Sequence, residues 1–231
     1  MGFPTLKLKT MTSLAFLAVL LICADASAKP PCDPITGDAT TARGKALNRL
    51  KNRSQAPTSS NIDSNITIAR LLAPGGDRER FPATKAATIT GYVALVKNGQ
   101  PETCNCHKPG VLDTHIEIVA DPKYAAQKFI NVTITSKNGK KRTIKKDSNE
   151  KYHVIVEVTP RVRNQMKAKG VDWSTQALIP KLTHHWVQFT GWILFDSEHA
   201  SSAKNTNPGN KLNWRATCTE LHPVFAIKAV N

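Results

Sequence analysis

Two short segments carry the first chemical signal. In DTHIEIVA, residues 113–120, a strand period of two sets Asp113, His115 and Glu117 on one face and Thr114, Ile116 and Ile118 on the other. In TELHPVFA, residues 219–226, the same count puts Glu220 beside His222. Imidazole and carboxylate in such pairs suit zinc or manganese, and a metal-bound water becomes a nucleophile near neutral pH. If the two strands are neighbours, His115, Glu117, Glu220 and His222 form a metal set on one sheet face. If they are not, the pairs are the wet sides of two strands. His199, after a later strand, offers a further ligand or a proton shuttle. Arg161 and Arg215 suit bidentate contact with phosphate. Together these residues describe a metal-assisted phosphodiesterase.

The strands expected to carry these side chains begin near residue 86. TITGYVALVKNG alternates like a strand and ends in a turn signal; ETCNCHK and DTHIEIVA read as the next strands, broken by Pro109-Gly110. YHVIVEVTP reads as a buried strand with Val154, Val156 and Val158 on one side and Glu157 on the other. After Pro160 a short helix is expected, stopped by Gly170. HWVQFTGWILFD and WRATCTELHPVFAIKAV supply two more strands. About five core strands, a helix between the third and fourth, and glycines where strands bend predict a small OB-like Greek-key barrel over residues 86–231. A β-sandwich fits the same periodicity.

FINVTITSKNGKKRTIKK reads as a hairpin, with Asn138-Gly139 as a type I′ turn pair. Its far arm carries Lys140, Lys141, Arg142, Lys145 and Lys146, which suit either a solvated edge or contact with a polyanion. The whole chain of 231 residues has a formal charge of +15. That excess favours acidic partners: nucleic acid, phosphorylated lipid headgroups, polysaccharide or an acidic envelope surface. Aromatic content is only 6%, which weakens the case for a base-stacking platform. Tyr92, Tyr152, Trp173 and Trp186 are the surface candidates.

Residues 1–28 read as a secretory signal peptide: Lys7 and Lys9, an apolar run, then Ala26-Ser27-Ala28. Its removal takes away two Lys and one Asp and leaves +14. The expected location is periplasmic or extracellular, with no transmembrane span after cleavage; Cys23 lacks the small preceding residue of a lipoprotein box. Residues 29–85 read as a docking helix and linker, with Ala46, Leu47 and Leu50 as the apolar stripe and cations, Lys51 among them, on the rest. Cys32, Cys104, Cys106 and Cys218 remain, so two disulfides are expected, Cys104 and Cys106 each reaching a distant partner.

LNRLKNR, DTHIEI, VEVTPR, GWILFDSEH and WRATCTELHPV together resemble a family of exported bacterial proteins of largely uncharacterised role, over about Leu47 to Val230. The resemblance implies one compact β-rich domain preceded by a helix. Its recurrent polar positions match Asp113, His115, Glu157, Arg161, His199, Glu220 and His222 here, and imply that a catalytic set, if the family has one, lies among them. The chain departs from that pattern at Thr219, where the family has Trp, and in its long lysine-rich hairpin. The readings are therefore three: a polyanion-binding barrel, a metal-dependent hydrolase or nuclease, and an envelope-associated structural protein.

Overall fold

The computed structural model describes residues 1–2, 32–136 and 138–230. Residues 3–28 of the expected signal peptide, with Ala26-Ser27-Ala28 and Cys23, lie outside the described residues. No helix among the described residues is long and apolar enough to cross a membrane.

Among the described residues five strands close a barrel: β1 (Ala86–Asn98), β2 (Thr114–Val119), β5 (Val154–Val158), β7 (Thr219–Ala229) and β6 (Trp186–Phe195), in that spatial order. The order is that of an OB barrel, and closure excludes the sandwich. β1 is long because it pairs twice, through Ala86–Tyr92 with β6 and through Tyr92–Asn98 with β2. It turns between the two partners at Gly91, where a Cβ would stand 2.9 Å from Ile68 Cδ1 and 3.0 Å from Ile118 Cβ. Every pairing in the barrel is antiparallel except β5 with β7, which run parallel with Val156 opposite Leu221.

Alternation decides what faces inward. Ile116 and Ile118 of β2, Val154, Val156 and Val158 of β5, and Leu221 and Val224 of β7 share one core with Val93, Phe189 and Ile193. Each such side chain contributes about 1.5–3 kcal/mol when fully buried. The segment before the barrel joins this core through Ile66, Ile68, Leu71 and Phe81. It is therefore more than a linker, and it holds two further short helices, α2 (Ile68–Leu72) and α3 (Asp77–Arg80).

The N-terminal helix α1 (Ala42–Lys51) starts where the Thr41 hydroxyl accepts from Gly44 N–H at 3.0 Å. Its buried face is Leu47, Asn48 and Lys51, with Ala46 exposed. The helix is thus rotated from the expected apolar stripe, because its dock is polar. Asn48 Nδ2 donates to Thr103 Oγ1 and Asn52 Nδ2 to Cys104 O, each at 3.0 Å. These bonds fix residues 103–107 as a tight turn, with Cys106 and His107 at φ 57° and 50°; that stretch is not the strand its sequence suggests. Cys106 bridges to Cys32, while Cys104 and Cys218 are buried free thiols. Among the described residues one disulfide stands in place of the two expected.

Between β5 and β6 the chain forms α4 (Pro160–Ala168), ended at Gly170 with φ +77°, and then a second helix, α5 (Thr175–Leu182), that the strand count did not foresee. Residues β3 (Phe129–Thr135) and β4 (Lys141–Asp147) make the separate hairpin, with Thr133 opposite Thr143. That register puts Ser136 opposite Lys140, whose carbonyl accepts from Ser136 N–H at 2.9 Å. The turn is therefore wider than a two-residue type I′ turn.

Candidate functional site

The order β2, β5, β7 brings the two His/Glu pairs together without making their strands neighbours. β5 stands between them, and His115 is opposite Glu157 in the β2–β5 register. His115 Nδ1 lies 2.8 Å from Glu157 Oε1 and its Nε2 3.2 Å from Glu117 Oε1. Glu157 Oε2 in turn lies 2.9 Å from His222 Nδ1, and Glu220 Oε2 lies 3.9 Å from the same nitrogen. His222 Nε2 is 3.4 Å from Asp113 Oδ2. One carboxylate therefore links both imidazoles.

These residues point out of the barrel yet are shielded, His222 completely and Glu220, Asp113 and Glu157 nearly so. The cover comes from α1, which packs on the 103–105 turn and on β7. Its Lys51 ammonium sits 2.7 Å from Glu102 Oε2, 3.3 Å from Asp196 Oδ2 and 3.4 Å from Glu198 Oε2. Arg215 Nη1 contacts Glu220 Oε1 at 2.6 Å, with both side chains buried. A buried charge is costly unless paired, and here carboxylates and cations alternate through one network.

Carboxylates only accept hydrogen bonds, so the two contacts of His115 require hydrogens on both ring nitrogens. Burial acts to lower its pKa, but hydrogen bonds to Glu117 and Glu157 raise it to about 9. Burial likewise opposes the charge on His222, and Glu157 and Glu220 pull it up to about 10. Glu157 is held well below the usual carboxylate range, its two imidazole partners outweighing burial. For Glu220, Arg215 and His222 outweigh burial and bring it to about 2. Asp113 goes the other way, to about 6, because burial exceeds the pull of His222. His153 Nδ1 holds Glu117 Oε2 at 2.6 Å while its Nε2 donates to Tyr124 O at 2.9 Å.

The network forms one wall of a pocket of about 710 Å³, which His115, Glu117, Glu157, Asp196, His199 and Arg215 help to line. Lys97, Lys145 and Lys146 line it as well, together with Phe129, Ile144 and Trp214. His199 is half exposed, its Nε2 3.7 Å from Asp196 Oδ2. The hairpin therefore folds back over the polar wall. A second recess, between the hairpin and residues 209–212, is lined by Lys140, Arg142 and Lys211 and shares Leu212 with the first.

Several sequence-derived roles change in this geometry. Arg161 does not line the pocket; it donates to Pro34 O and borders a separate recess with Arg53 and Trp192. Arg215 lines the pocket but is committed to Glu220. Lys146 donates to the carbonyls of Lys211 and Asn213, so its ammonium ties the hairpin to that loop. Lys145 lies over the Phe129 ring, 4.6 Å from its centroid. The proposed quartet of His115, Glu117, Glu220 and His222 divides: His115 spends both nitrogens on carboxylates and keeps no lone pair for an ion. Trp173 is a core residue, whereas Trp214 reaches the pocket.

Sequence reasoning missed Lys51, Glu102, His153, Asp196 and Glu198. Lys51 was findable, because it stands four residues after Leu47 on the same helical face. Asp196 and Glu198 lie in the DSEH run beside His199. No family model matches the chain, and neither a curated protein nor a solved structure does.

Proposed function

We propose that this chain is an exported polyanion-binding barrel whose ligand is nucleic acid. The observation that carries the reading is that the basic hairpin lines the pocket beside the polar network through Lys145 and Lys146 and the adjoining recess through Lys140 and Arg142. Lys97 extends the basic rim on the barrel side. A phosphate backbone that follows the hairpin from one recess to the other meets Lys140, Arg142 and Lys145, with Phe129 and Leu212 as apolar surface beside it, and is kept to that rim by the carboxylates of Glu117, Asp147, Glu150 and Glu198 on the rest of the pocket lining. Contact of this kind is sequence-independent and releases counterions, so affinity falls steeply with salt.

The test is binding of a single-stranded oligonucleotide by fluorescence anisotropy across a salt series. Changing Lys140, Lys141, Arg142, Lys145 and Lys146 to Gln should weaken binding at least about 100-fold and flatten the salt slope. Unchanged binding would remove the hairpin from the account. It would also return the envelope-associated reading to first place.

A second reading, phosphodiester hydrolysis, is favoured by the wall of the same pocket. His115, with hydrogens on both nitrogens, faces a space where a bound phosphodiester would sit beside Glu117 and Glu157. In that reaction water attacks phosphorus, the ester P–O bond breaks, and the leaving oxygen takes a proton. Release of product from an aryl phosphodiester, lost in His115→Gln, tests it. No turnover with zinc or manganese supplied would reject it.

A further inference from the structure

We propose that Asp113, Glu157 and His222 form a binding site for one divalent transition-metal ion. This inference concerns the floor beneath the pocket and stands apart from polyanion contact at its rim.

Three carboxylates are oriented towards one imidazole. Asp113 Oδ1 accepts from Asn105 Nδ2 at 2.9 Å, Glu157 Oε1 contacts His115 Nδ1 at 2.8 Å, and Glu220 Oε1 accepts from Arg215 Nη1 at 2.6 Å. Each is held on one oxygen by an outer donor. The other oxygen of each turns to His222, at 3.4 Å from Nε2 for Asp113 and at 2.9 and 3.9 Å from Nδ1 for Glu157 and Glu220. Outer donors that fix one oxygen and leave the other inward are the usual support of a carboxylate ligand.

A second, independent observation points the same way. His222 is 0% exposed, and neither of its ring nitrogens has a hydrogen-bond partner of acceptable geometry among the described residues. Asp113 Oδ2 is buried and unpartnered too. Buried polar atoms without partners are rare, and an ion is one of the few things that satisfies several at once. The ligand atoms of Asp113, Glu157 and His222 lie within 4.8 Å of one another. An ion at about 2.0–2.2 Å from each takes one ring nitrogen of His222, so the carboxylate that stands at the other nitrogen has to swing to the same side of the ring. One imidazole with carboxylates suits zinc or manganese over a hard ion such as calcium, and the ion takes the place of one of the two ring protons that His222 carries in metal-free protein. Because Glu157 also lines the pocket, the ion enters from that side.

This ligand set differs from the ladder of His115 and Glu117, whose role here is to hold Glu157. Exchange of His115 therefore weakens metal binding indirectly, while exchange of His222 removes a ligand.

The experiment is elemental analysis of the full mature protein, stripped with chelator, incubated with zinc or manganese alone and then dialysed. About one equivalent per chain is expected in the wild type and less than about 0.1 in His222→Gln, with circular dichroism confirming that the variant is folded. An empty wild type overturns the proposal, as does a folded His222→Gln that keeps a full equivalent. Should His222→Gln fail to fold, Asn105→Ala decides: loss of the donor behind Asp113 should weaken affinity about 10–100-fold, and unchanged affinity overturns the site. Polyanion binding measured in chelator stands or falls separately.

Discussion

His115 on β2 and Glu157 on β5 meet at 2.8 Å, and the other oxygen of that carboxylate stands 2.9 Å from His222 on β7. Glu157 is thus shared by two histidines whose own strands, β2 and β7, are not neighbours. In metal-free protein, Glu157→Gln should cost about 3–5 kcal/mol of stability, because two imidazolium groups lose a buried partner. Urea unfolding measures the loss. Proton NMR of the imidazole of His115 should show its pKa falling from about 9. A value that stays there would mean that Glu117 alone holds the charge.

Stability of the metal-free protein should depend on pH with a definite sign. Folding raises His115 to about 9 and His222 to about 10 from an ordinary 6.5. The stability they add is complete below pH 6.5 and disappears as pH rises through 9 to 10. Glu220, lowered to about 2, adds stability above its ordinary 4.5 that is lost as pH falls towards 2. Urea midpoints should therefore drop between neutral pH and pH 10, and drop less in His115→Gln. Equal slopes in the two proteins would show that His115 is not the group lost.

Lys51 joins α1 to the barrel through Glu102, Asp196 and Glu198. Lys51→Met leaves buried Asp196 without its cation and should cost about 3–5 kcal/mol. Lys45→Met, on the exposed side of the same helix, should change stability by less than about 0.5 kcal/mol. Thermal or urea unfolding of the pair distinguishes an anchoring lysine from a general effect of charge.

The Cys32–Cys106 bridge closes a sequence separation of 74 residues and fastens the start of the described chain to the 103–107 turn. Cys32→Ser should destabilise by about 2–5 kcal/mol. Reductant should lower the unfolding midpoint of the wild type to that of the variant and leave the variant unmoved. A wild type insensitive to reductant would place no stability in the bridge.

Much of the barrel was legible because period-two alternation shows which side chains meet a core. Val154, Val156 and Val158 of β5 follow that rule, as do Ile116 and Ile118 of β2. What alternation cannot show is which strands adjoin. The pairing of His115 with Glu157, and of Glu157 with His222, follows from β5 lying between β2 and β7, a relation set by chain closure. The polar residues on the outer face read as solvated for a related reason. Their cover is α1, whose docking face is polar, so a search for an apolar stripe chose Ala46 and Leu50 over Asn48 and Lys51. The turn at 103–107 was hidden as well, since ETCNCHK has no proline or glycine and is held by side chains of a distant helix.

Binding of one nucleic-acid strand by the hairpin and the pocket beneath it can be read by titrating isotope-labelled protein with a short single-stranded oligonucleotide and following amide and Trp indole resonances at low and high salt. The expected result is saturable shifts at residues 140–146, at Lys97 and at Trp214, abolished by salt. Binding that shifts other surfaces and leaves the hairpin and Trp214 unmoved would contradict it.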